Sequence, residues 1–226
     1  RYFTPDNRPF VFEVKGTRFA INICEDTWYP YAPEAARAAG ASVLLVPNGS
    51  PYHLGKTALR LDKMRENVSR AGLALVYANL VGGQDELVFD GASFVLDAAG
   101  RLAAMAPQFE EHLLLAAFVD GAPQPGSCAE HGPLEAQAYG ALRLGVRDYL
   151  GKNGFPGAII GLSGGIDSAL TLAIAVDALG ADRVRAVMMP SQYTADISWL
   201  DARAMAARLG VRYDELPIKP VFDSFL

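Results

Sequence analysis

The chain predicts an α/β protein built from two successive units. Three observations carry this: between residues 10 and 105 the hydrophobic period switches repeatedly between two and 3.6, ending on a strand meander. Residues 107–133 then lose clear periodicity and are punctuated by Gly121, Pro123, Pro125, Gly126 and Gly132, a linker texture. Beyond them strands and helices alternate as β-α-β-α-β with short connections, which implies right-handed crossovers and a parallel sheet.

Composition supports a globular protein. At 226 residues and 51% hydrophobic, the chain can bury a large core, which excludes disorder and low-complexity classes. A net charge of −5 excludes a general phosphate-backbone binder, so any nucleotide must be gripped by a local site, and no nucleic acid partner is expected. Two cysteines make no disulfide scaffold and read as reduced thiols, with a cytoplasmic setting expected. The longest apolar stretches, Leu113–Val119 and Ala169–Val176, fall far short of the roughly 20 residues of a bilayer span, so no membrane partner is expected. Arg1–Asp6 lack the basic and apolar regions of a leader. With no initiator Met, the chain reads as an internal piece of a longer protein.

Element by element, Phe10–Val14, the turn Lys15-Gly16 and Arg18–Ile23 read as a hairpin with Phe19, Ile21 and Ile23 on its buried face. A helix with Pro33 and Glu34 in its first turn stops at Gly40. Strand Ser42–Val46 leads into the loop Pro47–Pro51. An amphipathic helix, Lys56 to Ala71, places Ala58, Leu61, Met64, Val68 and Ala71 on one face, while its charges from Arg60 to Arg70 read as one solvated face; Gly72 ends it. Strand Leu73–Val81 and an antiparallel region from Glu86 to Met105, with turns at Asp90-Gly91 and Asp97–Gly100, complete the first unit, with Leu113–Val119 as a further candidate strand.

The second unit opens with a helix from Pro133 to about Leu150, its apolar face formed by Leu134, Ala138, Leu142, Val146 and Tyr149. Strand Ala158–Leu162, helix Ile166–Leu179, strand Arg183–Met189, helix Ala195–Leu209 and strand Arg212–Ile218 follow. The domain organisation read from this pattern is 1–120, a linker at 121–132, and 133–226.

One motif carries the strongest chemistry: Gly161-Leu162-Ser163-Gly164-Gly165-Ile166-Asp167-Ser168, where a strand hands over to a helix. Gly164 and Gly165 let the backbone approach an anion, the helix N-terminus supplies unpaired N–H groups and a positive dipole end, and Ser163 and Ser168 add hydroxyls. Asp167 is a hard oxygen ligand suited to Mg²⁺. No Gly-Lys-Ser/Thr follows, which excludes a Walker A loop, and the spacing is not the dinucleotide-type G-x-G-x-x-G. A second feature is Cys24, at a strand-to-turn junction in Ile23-Cys24-Glu25-Asp26, a placement suited to an activated nucleophile, although taken alone an inert core thiol is the favoured reading.

Ser163-Gly164-Gly165-Ile166-Asp167-Ser168 resembles the pyrophosphate loop of the PP-loop ATP pyrophosphatases. Cys24–Trp28, Asn48–Lys56 and Gly82–Gly91 resemble the glutamine-hydrolysing branch of the nitrilase superfamily. Together, and with Met188–Thr194 and Pro217–Phe222, these runs resemble the glutamine-dependent NAD⁺ synthetase family across essentially the whole chain. The resemblance implies the later part of an α-β-β-α sandwich followed by the start of a PP-loop domain. It implies Cys24 as the nucleophile, Glu25 as a further catalytic or substrate contact, and Trp28, Ser50 and Lys56 holding glutamine. ATP would sit on Gly161–Ser168 with Met189 beside the adenine and Asp167 on Mg²⁺, and deamido-NAD⁺ would be amidated by way of an adenylate.

The family's general-base Glu and catalytic Lys are expected before Arg1, its deamido-NAD⁺ contacts after Leu226, and a homo-oligomer is expected; the segment alone is therefore expected to lack glutaminase activity. Other PP-loop enzymes, of the tRNA-thiolating or GMP-forming kind, and a non-catalytic ATP-binding scaffold stand as alternatives. His53 reads as a solvated loop residue, His112 and His131 as lacking metal-ligand companions, Cys128 as incidental, and Trp199 as core or interface packing.

Overall fold

The computed structural model describes residue 4 and residues 6–225. Arg1–Phe3, Pro5 and Leu226, which include most of the segment read above for a leader, lie outside the described residues. The chain divides into two compact units: one takes in residues up to Gly82 and Leu87–Ala141, the other Gly83–Glu86 and Leu142 onward.

In the first unit β1 (Phe10–Val14) and β2 (Thr17–Ile21) form the expected hairpin around Lys15-Gly16, both at positive φ. Its buried position is Ala20, not Ile23, which is 64% exposed. The small side chain lets α1 (Tyr31–Ala38) approach, and the fully buried Ala36 joins the same core. Then follow β3 (Val43–Asn48), α2 (Lys56–Ala71), β4 (Ala74–Asn79), the short strands β5 (Val81–Gln84) and β6 (Leu87–Asp90), β7 (Phe94–Leu96) and β8 (Leu102–Met105).

The main sheet runs β1-β2-β3-β4-β7-β8, with β2, β3 and β4 parallel and the outer pairings antiparallel. Leu44, Val46, Leu75, Tyr77, Phe94 and Leu96 alternate onto one face and pack against Met64, Val68 and Ala71 of α2, each worth roughly 1.5–3 kcal/mol for a large side chain.

Three expectations are corrected here. Arg60 does not belong to a solvated helix face: it is 1% exposed, because it stands four residues before Met64 and seven before Asn67 on the stripe that α2 buries. Asp90 does not belong to a turn: it ends β6 and is fully buried. Leu113–Val119 is not a strand throughout: only β9 (Phe118–Val119) pairs, with β10 (Ala122–Pro123) across the Asp120-Gly121 turn, and Leu113 and Leu115 are exposed.

Helix α3 (Leu134–Lys152) begins in the first unit and ends in the second. Its buried residues are Ala141 and Leu144, whereas Leu134, Leu142 and Tyr149 of the expected apolar face are about half exposed. Glycines decide the seat, since a Cβ at Gly140 would meet the ring of Phe109.

The second unit continues with β11 (Ala158–Gly161), α4 (Ile166–Leu179), β12 (Val184–Met188), α5 (Asp196–Leu209), β13 (Arg212–Glu215) and α6 (Lys219–Asp223). Its sheet is parallel in the order β11-β12-β13, as the β-α-β-α-β pattern predicts. Leu162, Leu172, Ala186, Met188, Ala202 and Ala206 form its core, with Trp199 packed against it.

Candidate functional site

Each unit carries one constellation, and both lie where parallel strands end. In the first unit the carboxyl ends of β2, β3 and β4 lead directly to Cys24, Ser50 and Asn79. The strand direction and right-handed crossovers place all three on one edge of the sheet, the edge at which open α/β sheets present ligand-binding residues.

Cys24 opens a 3₁₀ turn, Cys24–Trp28, with φ +47, a left-handed conformation that costs a non-glycine residue about 1–3 kcal/mol unless its surroundings enforce it. Here they do. The Ile23 amide donates to Asp26 Oδ2 (2.9 Å), Thr27 Oγ1 donates to the Cys24 carbonyl (2.9 Å), and Asn67 Nδ2 of α2 donates to the Thr27 carbonyl (2.6 Å). The thiol is half-buried and free. Glu25 is exposed on the same turn. Trp28 meets Lys56, whose Nζ lies 4.4 Å from the ring centroid, a cation–π contact.

Ser50 is 4% exposed and enclosed by hydrogen bonds. Its amide donates to Asn79 Oδ1 (3.0 Å), its carbonyl accepts from Arg60 Nη2 (2.8 Å), and its hydroxyl oxygen accepts from Arg60 Nε (3.1 Å). Arg60 Nη1 is paired with Asp90 Oδ1 at 2.8 Å, and Asp90 Oδ2 also accepts from Thr57 Oγ1 (3.1 Å) and Gln108 Nε2 (3.3 Å).

Tyr77, stacked on Phe94, turns its hydroxyl toward this cluster. Burial pushes its pKa up to about 12; Arg60 and Ser50 partly offset this, and Cys24 and Asp90 add to it. Among the described residues that hydroxyl has no hydrogen-bond partner, nor have the buried Oδ1 atoms of Asn22 and Asn48. The structure therefore brings Cys24, Ser50 and Tyr77 into one neighbourhood and joins Trp28 to Lys56. His53 is exposed, with Nδ1 against the Leu54 carbonyl; His112 is exposed, and His131 Nε2 meets the Ala106 carbonyl.

Sequence reasoning missed Arg60, Asp90, Thr27, Asn67, Tyr77 and Asn79. The spacing Arg60, Met64, Asn67, Ala71 was the available clue, because it repeats at helical intervals along the buried stripe. Asp90 offered no local clue, since its partner lies thirty residues away.

In the second unit Gly161 ends β11 and the chain turns through Ser163-Gly164-Gly165 into α4. Ser168 Oγ donates to the Gly165 carbonyl (2.9 Å) and accepts from the Ser163 amide (3.2 Å), and the two serine hydroxyls lie 3.0 Å apart. This fixes the loop so that the first amides of α4, which have no intrahelical acceptor, open onto it. Gly164 has φ +84, and a Cβ there would collide with the Ser198 carbonyl of α5.

A cavity of about 320 Å³ is lined by Gly161, Leu162, Ser163, Met189, Thr194 and Ser198 among others, so it joins the loop to Met189. The exposed carboxylate of Asp167 lies in the first turn of α4, and the described residues hold no group of three His, Cys, Asp or Glu side chains that would bind a metal ion by themselves. A lone carboxylate suits Mg²⁺ held mainly by phosphate oxygens and water. No helix of the described residues is long and apolar enough to cross a membrane.

Fold and sites define a protein with a cysteine-bearing α/β unit followed by a phosphate-loop α/β unit. Residues 1–121 match the carbon-nitrogen hydrolase family and residues 138–226 the NAD synthase family. The first match takes in more than half of the chain, and the chain belongs to the carbon-nitrogen hydrolase family. Its first unit has the nitrilase-like fold, and its second the PP-loop fold of the NAD synthases.

The chain is 43% identical to the glutamine-dependent NAD(+) synthetase of Acinetobacter baylyi over its whole length, covering 42% of that protein. It is 48% identical to the same enzyme of Rhodobacter capsulatus, over 88% of this chain and 37% of that one. Among solved structures, the glutamine-dependent NAD+ synthetase from Acinetobacter baumannii, in complex with ADP, superposes with a TM-score of 0.95 at 44% identity, covering 99% of this chain and 43% of that one. The chain thus spans less than half the length of these relatives.

Proposed function

We propose that the chain is the central part of a glutamine-dependent NAD⁺ synthetase, carrying the nucleophile of a glutaminase site and the ATP loop of a synthetase site. The observation that carries this reading is the presence, in one chain, of a braced left-handed Cys24 turn and a Ser-Gly-Gly-Ile-Asp-Ser loop at a helix N-terminus. Relatives up to 48% identical bear that enzyme's name, which favours it over the tRNA-thiolating, GMP-forming and scaffold alternatives.

In this reading Cys24 Sγ attacks the side-chain amide carbon of glutamine. The thiol proton passes through a base to the amide nitrogen, the C–N bond breaks and ammonia leaves; water then cleaves the thioester to glutamate. Trp28, Ser50 and Lys56 hold glutamine, and Glu25 is a further contact.

In the second unit the amides of Gly164–Ser168 and the hydroxyls of Ser163 and Ser168 grip the β,γ-phosphates of ATP, with Met189 beside the base. A carboxylate oxygen of deamido-NAD⁺ attacks the α-phosphorus and pyrophosphate leaves; ammonia then attacks the acyl carbon and AMP leaves. Asp167 would hold Mg²⁺, which supplies charge neutralisation at the phosphates. A first domain at 1–120, a linker at 121–132, a second domain at 133–226, a homo-oligomeric state and a cytoplasmic setting belong to the same reading.

The test is a product balance in protein expressed at the full length of its relatives, supplied with deamido-NAD⁺, ATP, Mg²⁺ and glutamine. NAD⁺ and AMP should form one for one, with glutamate at least matching them. Glutamate without NAD⁺ would refute the acceptor, and AMP formed only with a tRNA or a xanthylate would move the chain to another PP-loop enzyme.

A further inference from the structure

The buried ion pair between Arg60 and Asp90 has no place in the chemistry above, and a buried ion pair is weak evidence of a stabilising role by itself. Replacing such a pair with apolar side chains of similar volume is often neutral or stabilising, whereas losing one partner leaves an uncompensated buried charge. What the pair does is visible in its hydrogen bonds. A guanidinium only donates, so where Arg60 Nε meets Ser50 Oγ the serine oxygen must accept. The Ser50 amide is taken by Asn79 and its carbonyl by Arg60 Nη2. Of all the polar capacity of Ser50, the hydroxyl hydrogen is what stays uncommitted to Asn79 and Arg60; the nearby Tyr77 hydroxyl, whose pKa Ser50 helps to lower, makes no hydrogen bond of good geometry to it. Asp90 neutralises Arg60 and fixes its fork; through Thr57 and Gln108 it ties that fork to the start of α2 and to residue 108.

We propose that Arg60, held by Asp90, is a positioning residue that commits the Ser50 hydroxyl to donate its hydrogen to a carbonyl or carboxylate oxygen of the amide substrate. The inference deepens the reading of the first unit as the amide-hydrolysing half and rests on it. It assigns the pair to substrate orientation: with Arg60 in place, Ser50 rejects a donor group at that point and rewards an acceptor.

The experiment is a double-mutant cycle in protein expressed at the full length of its relatives: Ser50→Ala, Arg60→Lys and the two together, with KM and kcat for glutamine hydrolysis measured separately. Ammonia-driven NAD⁺ formation in the same samples reports on the second site and on folding. Each single variant should raise the glutamine KM about tenfold with a much smaller change in kcat, and the double variant should be no worse than either single one.

An Arg60→Lys effect that multiplies with that of Ser50→Ala, or an Arg60→Lys variant with unchanged KM beside an impaired Ser50→Ala, would overturn the positioning role and leave the reading of the unit intact. Unchanged glutamine KM in Ser50→Ala would overturn that reading, and the inference with it. Should Arg60→Lys fail to accumulate as folded protein, Asp90→Asn takes its place in the cycle; failure of both to fold would assign the pair to folding alone and refute the proposal.

Discussion

Asn67→Ala should loosen the nucleophile turn far more than its distance in sequence suggests. Asn67 is 2% exposed and Thr27 fully buried, so water cannot replace the 2.6 Å bond from Asn67 Nδ2 to the Thr27 carbonyl. Leaving that carbonyl unsatisfied costs about 1–3 kcal/mol, and the missing amide leaves a small void. The turn also holds Cys24 at φ +47, so releasing the brace lets the chain relax away from a conformation worth about 1–3 kcal/mol of strain. A loss of about 2–3 kcal/mol at the turn follows, which is roughly a 30- to 150-fold rise in its opening constant. Amide hydrogen exchange by mass spectrometry reads this on a peptide covering residues 22–30, with residues 166–179 of the other unit as the internal reference. A change below about threefold in the turn peptide, or an equal change in both peptides, would refute the claim that α2 braces the nucleophile.

Two further expectations follow from the second unit. Gly164→Ala should abolish nucleotide binding by calorimetry, because φ +84 and the Ser198 carbonyl both forbid a Cβ; Gly165→Ala, at φ −87 with its nearest contact the Ser163 hydroxyl at 3.4 Å, should bind within about tenfold of the parent. Asp148 accepts from the Gly83 amide at 2.8 Å; burial raises its pKa, but that bond and Arg147 outweigh burial and hold it below the ordinary 3.8. A depressed carboxylate stabilises the fold above its unfolded pKa and loses that contribution as pH falls through the folded one. Protection of the Gly83 amide should thus be constant from neutral pH down to about 5 and fall only below 3.8; a loss beginning near pH 6 would contradict the assignment.

Much of the fold was legible because local chemistry decided it. Lys56–Ala71 is bounded by Gly55 and Gly72, both at positive φ, and its bounds match the sequence reading, although Arg60 is buried and Ala58 exposed. The parallel β11-β12-β13 order follows from short connections that leave few other topologies. The phosphate loop is a contiguous motif, so its residues could be named and placed together. The nucleophile site is different: Cys24 and Ser50 stand out in sequence, but what holds them comes from positions 60, 67, 79 and 90, brought together by strand pairing and helix packing. A charged residue on a helix reads as solvated unless its partner is known, and Asp90 is not identifiable as that partner until β4, β6 and α2 meet. Leu113 and Leu115 misled in the opposite way, as apolar residues in a segment that pairs only from Phe118 onward.

The division of labour between Cys24 and the phosphate loop is tested most directly by Cys24→Ala in protein expressed at the full length of its relatives, assayed for NAD⁺ formation with glutamine and, separately, with ammonia. Two separate chemistries predict that glutamine-driven synthesis disappears while ammonia-driven synthesis keeps the parent rate within about twofold. Glutamine-driven synthesis that survives the substitution would contradict Cys24 as the nucleophile, and loss of both activities would contradict the separation of the two sites.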